Sequence, residues 1–151
     1  MAQQKHWSEC GRSTSVAHSS AAGRPHRSVL SLAANLMPLD SAQVLGELRK
    51  SLQALACDGH VALATAPVGS CKADELALGF DNFLSVALDS CADEFTAEQV
   101  AALRHVDDLL TAMSGADHED LWTDEAVCLH PRWHEVRSQA RRTLTALGWE
   151  K

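Results

Sequence analysis

Residues 96–115, TAEQVAALRHVDDLLTAMSG, contain the clearest structural signal in this chain. Thr96 and Gln99 have the spacing of a capping box, in which each side chain accepts a hydrogen bond from the other residue's backbone N–H at the start of a helix. The stretch ends at Gly115, a residue that favours helix termination. Between these points apolar residues recur at intervals of three and four: Val100, Leu103, Val106, Leu110 and Met113. The pattern predicts an amphipathic helix with one buried face.

A second helix is predicted downstream, from Pro131 to Gly148. Proline suits the first turn of a helix because no backbone N–H is needed there, and Gly148 suits the left-handed position at the end. Thr123 is predicted to cap a short helical turn over residues 124–129 between the two helices. The buried face of the second helix is predicted to consist of Trp133, Val136, Ala140, Leu144 and Leu147.

Upstream, a helix is predicted to begin at Asp40 or Ser41, where Asp40 and Gln43 can form another capping box. Gly59 is expected to stop this helix, and residues 60–72 are expected to form a loop. The apolar stripe of this helix consists of Leu45, Leu48, Leu52 and Leu55.

Residues 74–91 fit two patterns, a helical stripe and the alternation of a half-buried strand. Their length without a turn signal is unusual for one strand, which favours a helix. The sequence therefore predicts an all-α protein, a small four-helix bundle-like domain over residues 37–151.

Residues 1–36 have no period that could bury a face, so we expect a disordered or dispensable tail. Met37 stands directly before the start of the first predicted helix, and it could be the true initiator. The alternatives are a natural tail and a targeting signal, since the segment is rich in Arg and Ser and poor in acids.

Charge is distributed unevenly along the chain, whose formal net charge is −7. Residues 73–125 contain fourteen Asp and Glu and a single basic residue, Arg104, so that this segment carries −13. A field so negative repels phosphate backbones and anionic lipid, which argues against nucleic acid and membranes as partners. It attracts basic proteins. The simpler interpretation is a solvated face that keeps the protein soluble.

Trp122 lies among carboxylates within this acidic segment. One interpretation is an aromatic anchor in an interface with a basic protein; the other is a ring that packs inward and holds its loop in place. The first interpretation predicts a partner-binding surface within residues 107–125. Its candidate residues are Asp107, Asp108, Asp117, Glu119, Asp120, Trp122, Asp124 and Glu125.

Cysteine and histidine residues raise the alternative of a zinc site, because thiolate and imidazole are zinc ligands. The candidates are Cys57, His60, Cys128, His130 and His134. Their irregular spacing favours buried structural cysteines instead, so no metal or other cofactor is assigned. No catalytic residue is assigned either, because the chain lacks the common nucleophile, phosphate-loop and zinc-protease motifs.

Several groups of residues between Phe95 and Trp149 match a pattern seen in other proteins. They are residues 96–103, 106–110, 121–123, 130–133, 136–137, 140–142 and 147–149. This pattern resembles that of small bacterial proteins with no assigned activity. Some proteins of similar size, acidity and helical content are immunity proteins, which neutralise a toxin by binding it. The resemblance implies a compact helical protein of the cytoplasm.

The leading expectation is thus a non-catalytic, acidic module that binds a basic protein, such as a toxin neutralised by an immunity protein. A zinc-binding enzyme or sensor is the first alternative. A structural homodimer is the second.

Overall fold

The computed structural model describes residues 39–66 and 71–150, and every regular element within these ranges is helical. The α-helices are α1 (Ser41–Ala56), α2 (Gly59–Thr65), α3 (Lys72–Ser90), α4 (Ala97–Ala112), α5 (Asp124–Leu129) and α6 (Pro131–Leu147). Two 3₁₀ segments, Ala92–Glu94 and Ala116–Trp122, precede α4 and α5. The all-α prediction is confirmed, while the predicted tail over residues 1–36 lies outside the described residues.

The helix caps that the sequence predicts are present. Asp40 with Gln43 and Thr96 with Gln99 form complete capping boxes at the starts of α1 and α4. At the end of α6, Gly148 has a φ of 68°, which places it in the left-handed region that favours glycine. These ends are set by local side-chain chemistry, and the predicted and observed boundaries therefore agree closely.

The ambiguous segment 74–91 is helical, and it forms most of α3. Leu76, Phe80 and Leu84 are buried at helical spacing, so one face of α3 enters the core. The alternation that suggested a strand has no structural counterpart, since Val86 is exposed and Leu78 and Leu88 are only partly buried.

The prediction of a loop over residues 60–72 is wrong in its first half, because residues 59–65 form α2. Asp58 caps α2 by accepting a hydrogen bond from the backbone N–H of His60 at 3.0 Å. Gly59 does not end α1, which stops at Ala56; it begins α2. A β-carbon at Gly59 would lie 2.7 Å from the Cα of Cys128, so glycine here permits a close approach of α2 to α5.

Helices α1 and α6 lie at the centre of the molecule. Helix α1 packs against both α3 and α6, and α6 packs against α4. Leu48 and Leu52 of α1, Phe80 of α3, and Trp133 and Val136 of α6 are almost completely buried. Burial of these apolar side chains is the main favourable contribution to folding. The short helices α2 and α5 pack on each other at one end of this core.

None of the helices in the described ranges is long and apolar enough to cross a membrane.

Candidate functional site

Most of the predicted partner-binding carboxylates are exposed. They lie on α4, on the 3₁₀ segment Ala116–Trp122 and on the first turn of α5. The exposed residues are Asp108, Asp117, Glu119, Asp120, Asp124 and Glu125, whereas Asp107 is half-buried. Asp124 lies 4.0 Å from the ammonium of Lys72, a distance at which an exposed pair contributes little to stability.

Trp122 is not an exposed anchor, because only 5% of its surface is accessible. Its indole Nε1 donates a hydrogen bond to the carbonyl of Met113 at 2.7 Å. The ring packs edge-to-face against Trp133, with 5.6 Å between ring centroids. Trp133 in turn donates from Nε1 to the carbonyl of Leu121 at 2.7 Å. The structure therefore favours the second interpretation, in which Trp122 packs inward and holds the acidic loop in place.

A shallow groove of about 310 Å³ runs beside α5, and we call it the α5 groove. Asp120 and Glu125 supply carboxylates to it, and Leu129 and Pro131 supply apolar surface. Leu129, the last residue of α5, is 66% exposed, the largest exposed fraction among the exposed large hydrophobic residues of the described ranges. Leu129 is the last residue of the helical turn predicted over residues 124–129, and no pattern in the sequence indicates its exposure.

A buried arginine lies beneath the other side of α5. Arg137 of α6 is only 6% exposed, and its Nη1 donates to the carbonyl of Val127 at 2.8 Å. Its Nη2 lies 3.5 Å from the carbonyl of Cys128. One turn later, Nε of Arg141 donates to the carbonyl of Ala56 at 2.9 Å. Two arginines of α6 thus bind carbonyls at the carboxyl ends of α5 and α1, where a helix carries partial negative charge.

Burial also shifts two titratable groups. Desolvation lowers the pKa of Arg137, and electrostatic interactions with Asp58 and Cys128 partly oppose this shift. Desolvation raises the pKa of Asp74 at the start of α3; a hydrogen bond with Cys71 lowers it, and the charge of Glu75 raises it further.

The zinc interpretation is not supported for the described residues. Of its five candidates, the structure brings together His60 and Cys128, whose Nδ1 and Sγ are 3.5 Å apart. The ring of His130 accepts a hydrogen bond from the N–H of Arg132 as the cap of α6, and that of His134 lies 3.4 Å from the guanidinium of Arg137. Within residues 39–66 and 71–150, no three His, Cys, Asp or Glu side chains are placed to share a metal ion.

The close pair of His60 and Cys128 could not be found from the sequence as a pair, because 68 positions separate the two residues. The site therefore consists of an exposed acidic groove on one side of α5 and a thiol–imidazole pair above a buried arginine on the other.

In comparisons with known proteins, no family model matches the chain, and no curated protein or solved structure gives a significant match.

Proposed function

We propose that this protein is a non-catalytic binding module whose acidic surface docks a basic protein. In this proposal the long helices form a four-helix bundle-like scaffold that presents the α5 groove. The observation that carries the proposal is the combination of Asp120 and Glu125 with the exposed side chain of Leu129 in that groove. Carboxylates attract a basic surface and speed its approach, and an apolar contact provides lasting affinity.

The binding surface in this proposal is smaller than the sequence alone indicates. Trp122 supports it from below, because its hydrogen bond to Met113 and its ring contact with Trp133 fix the loop that bears Asp117, Glu119 and Asp120. Leu129 replaces Trp122 as the apolar contact. A rigid loop loses little conformational entropy when it binds, which favours affinity.

A basic occupant fits this surface better than a second copy of the chain. Two acidic grooves brought face to face would place carboxylates against carboxylates, which costs free energy. The same chemistry suits an immunity protein, whose task is to cover a basic toxin. We therefore propose a basic toxin as the natural partner and a bacterial cytoplasm as the natural setting.

The test uses a fluorescent peptide rich in lysine and arginine with one central leucine. Reversal of two groove charges (Asp120→Lys with Glu125→Lys) should slow its association roughly tenfold at low salt and weaken the salt dependence. The matched control reverses two exposed carboxylates elsewhere (Asp93→Lys with Glu98→Lys), with the same change in net charge. Equal losses in the two variants would contradict the proposal, since binding would then follow net charge alone.

The apolar contact is tested separately with Leu129→Ser. We expect this variant to raise the dissociation rate of the same peptide and to leave association nearly unchanged. Light scattering over a range of protein concentrations decides between a monomer and the homodimer alternative. A dimer that dissociates on Leu129→Ser would overturn the proposal in favour of self-association.

A further inference from the structure

A thiol, an imidazole and a guanidinium meet where α2 approaches α5. Sγ of Cys128 lies 3.5 Å from Nδ1 of His60. Arg137 donates to the carbonyl of Val127 at 2.8 Å and lies 3.5 Å from that of Cys128. Cys128 is half-buried and His60 is exposed, so the pair lies at the surface of the molecule. The α5 groove does not include this cluster.

Cys128 lies in the last turn of α5. The carbonyls at the end of a helix carry partial negative charge, which repels an anion. Arg137 changes this balance because its positive charge is bound directly to those carbonyls. The negative charge of Asp58 offsets part of the positive charge of Arg137. His60 provides a nitrogen that can accept the proton of the thiol, which the guanidinium of Arg137 cannot do.

The backbone holds this geometry in place. Asp58 accepts a hydrogen bond from the N–H of His60 and so fixes the first turn of α2. Gly59 allows the backbones of α2 and α5 to approach so closely that no β-carbon fits between them. The cap formed by Asp58 and the close approach at Gly59 therefore hold the imidazole next to the sulfur.

We propose that Cys128, with His60 as its proton acceptor, is a covalent modification site for low-molecular-weight disulfides. Nδ1 of His60 takes the thiol proton, and the sulfur of Cys128 attacks one sulfur of the disulfide. A new S–S bond forms at Cys128 while the S–S bond of the reagent breaks. The released thiolate takes the proton from His60 and leaves as a thiol. Cys128 is oxidised and the released sulfur is reduced, so the exchange needs no further oxidant. The proposal does not depend on the docking function.

The test uses dithiodipyridine as the disulfide, in limiting amount, on the folded full chain. Tryptic digestion separates Cys128, the only cysteine of residues 105–132, from Cys57 and Cys71, which share residues 51–72 and are distinguished by fragmentation of that peptide in the mass spectrometer. We expect Cys128 to react roughly ten times faster than Cys57 or Cys71, which are also half-buried. In the unfolded chain we expect the three rates to converge.

The role of His60 is tested by His60→Gln, a change at an exposed position that should leave the fold intact, which circular dichroism checks. We expect the rate at Cys128 to fall roughly tenfold, to the level of Cys57. The control is His105→Gln, which removes an exposed histidine on α4 and should leave the rate unchanged. An unchanged rate in His60→Gln, or a Cys128 no faster than Cys57 in the native protein, would overturn the proposal.

Discussion

Two charged regions of this protein meet at α5, and they use charge in opposite ways. On one side, carboxylates of residues 117–125 lie exposed to water. On the other, the guanidinium of Arg137 is buried beneath the carboxyl end of the helix. Exposed charges contribute little to stability because water solvates them in both the folded and the unfolded states. A buried charge must be matched by hydrogen bonds, and removing it leaves its partners unsatisfied.

The exposed charges, unlike the buried one, are free to serve a function. The acidic loop can lose its charges and still fold, because Trp122 and Trp133 hold it through rings and indole hydrogen bonds. The arginine beneath α5 is part of the fold itself. Substitutions in the two regions should therefore differ widely in their effect on stability.

Arg137→Ala should lower the free energy of unfolding by about 2–4 kcal/mol. The substitution removes a charge-assisted hydrogen bond to Val127 and the packing of a buried side chain. Urea unfolding followed by circular dichroism measures the change. Arg142→Ala, at an exposed position on the same helix, and Asp117→Ala, in the acidic loop, should each stay within about 0.5 kcal/mol of the parent. A loss at Asp117 equal to that at Arg137 would remove the distinction between the two regions.

Gly59→Ala should destabilise the protein by about 1–3 kcal/mol, because the new β-carbon would lie 2.7 Å from backbone atoms of α5. Urea unfolding again gives the value. Gly79→Ala in α3 is the matched control, since nothing lies within 4 Å of its β-carbon and alanine favours a helix. The control should gain about 0.5–1 kcal/mol. Similar behaviour of the two variants would contradict the close contact between α2 and α5.

The smallest effect concerns Asp74, a partly buried carboxylate at the start of the acidic segment. Because burial raises its pKa, the folded protein holds the Asp74 proton more tightly than the unfolded chain does. The contribution to stability is therefore complete below the ordinary value of 3.8 and is lost as the pH rises through the folded pKa. Relative to the parent, Asp74→Asn should become more stable as the pH is raised to neutrality. Melting temperatures across this range measure the trend, and an opposite slope would contradict it.

Much of the fold could be predicted because its signals are local. The capping boxes of α1 and α4 and the terminal Gly148 each involve residues within one turn of one another. The apolar stripes repeat every three or four residues, as a helix with one buried face requires. Helix α2 was missed because its seven residues are too few to show such a stripe, and its position depends on Gly59 meeting α5.

Of the candidate site, only the negative charge could be predicted from the sequence. The acidic residues of the loop are exposed as expected, since ionised carboxylates are rarely buried unless paired. The direction of Trp122 was left open by the sequence, because a large ring among carboxylates can face either way. The contact with Trp133 decides it.

The helical class, the ends of the main helices and the acidity of residues 73–125 follow from the amino-acid sequence alone. Hydrogen bonds within one turn and the repeat of apolar residues are enough for that. The burial of Arg137, the exposure of Leu129 and the meeting of His60 with Cys128 depended on the tertiary structure. Each of these requires residues distant along the chain to pack together, and no local pattern records which of them will do so.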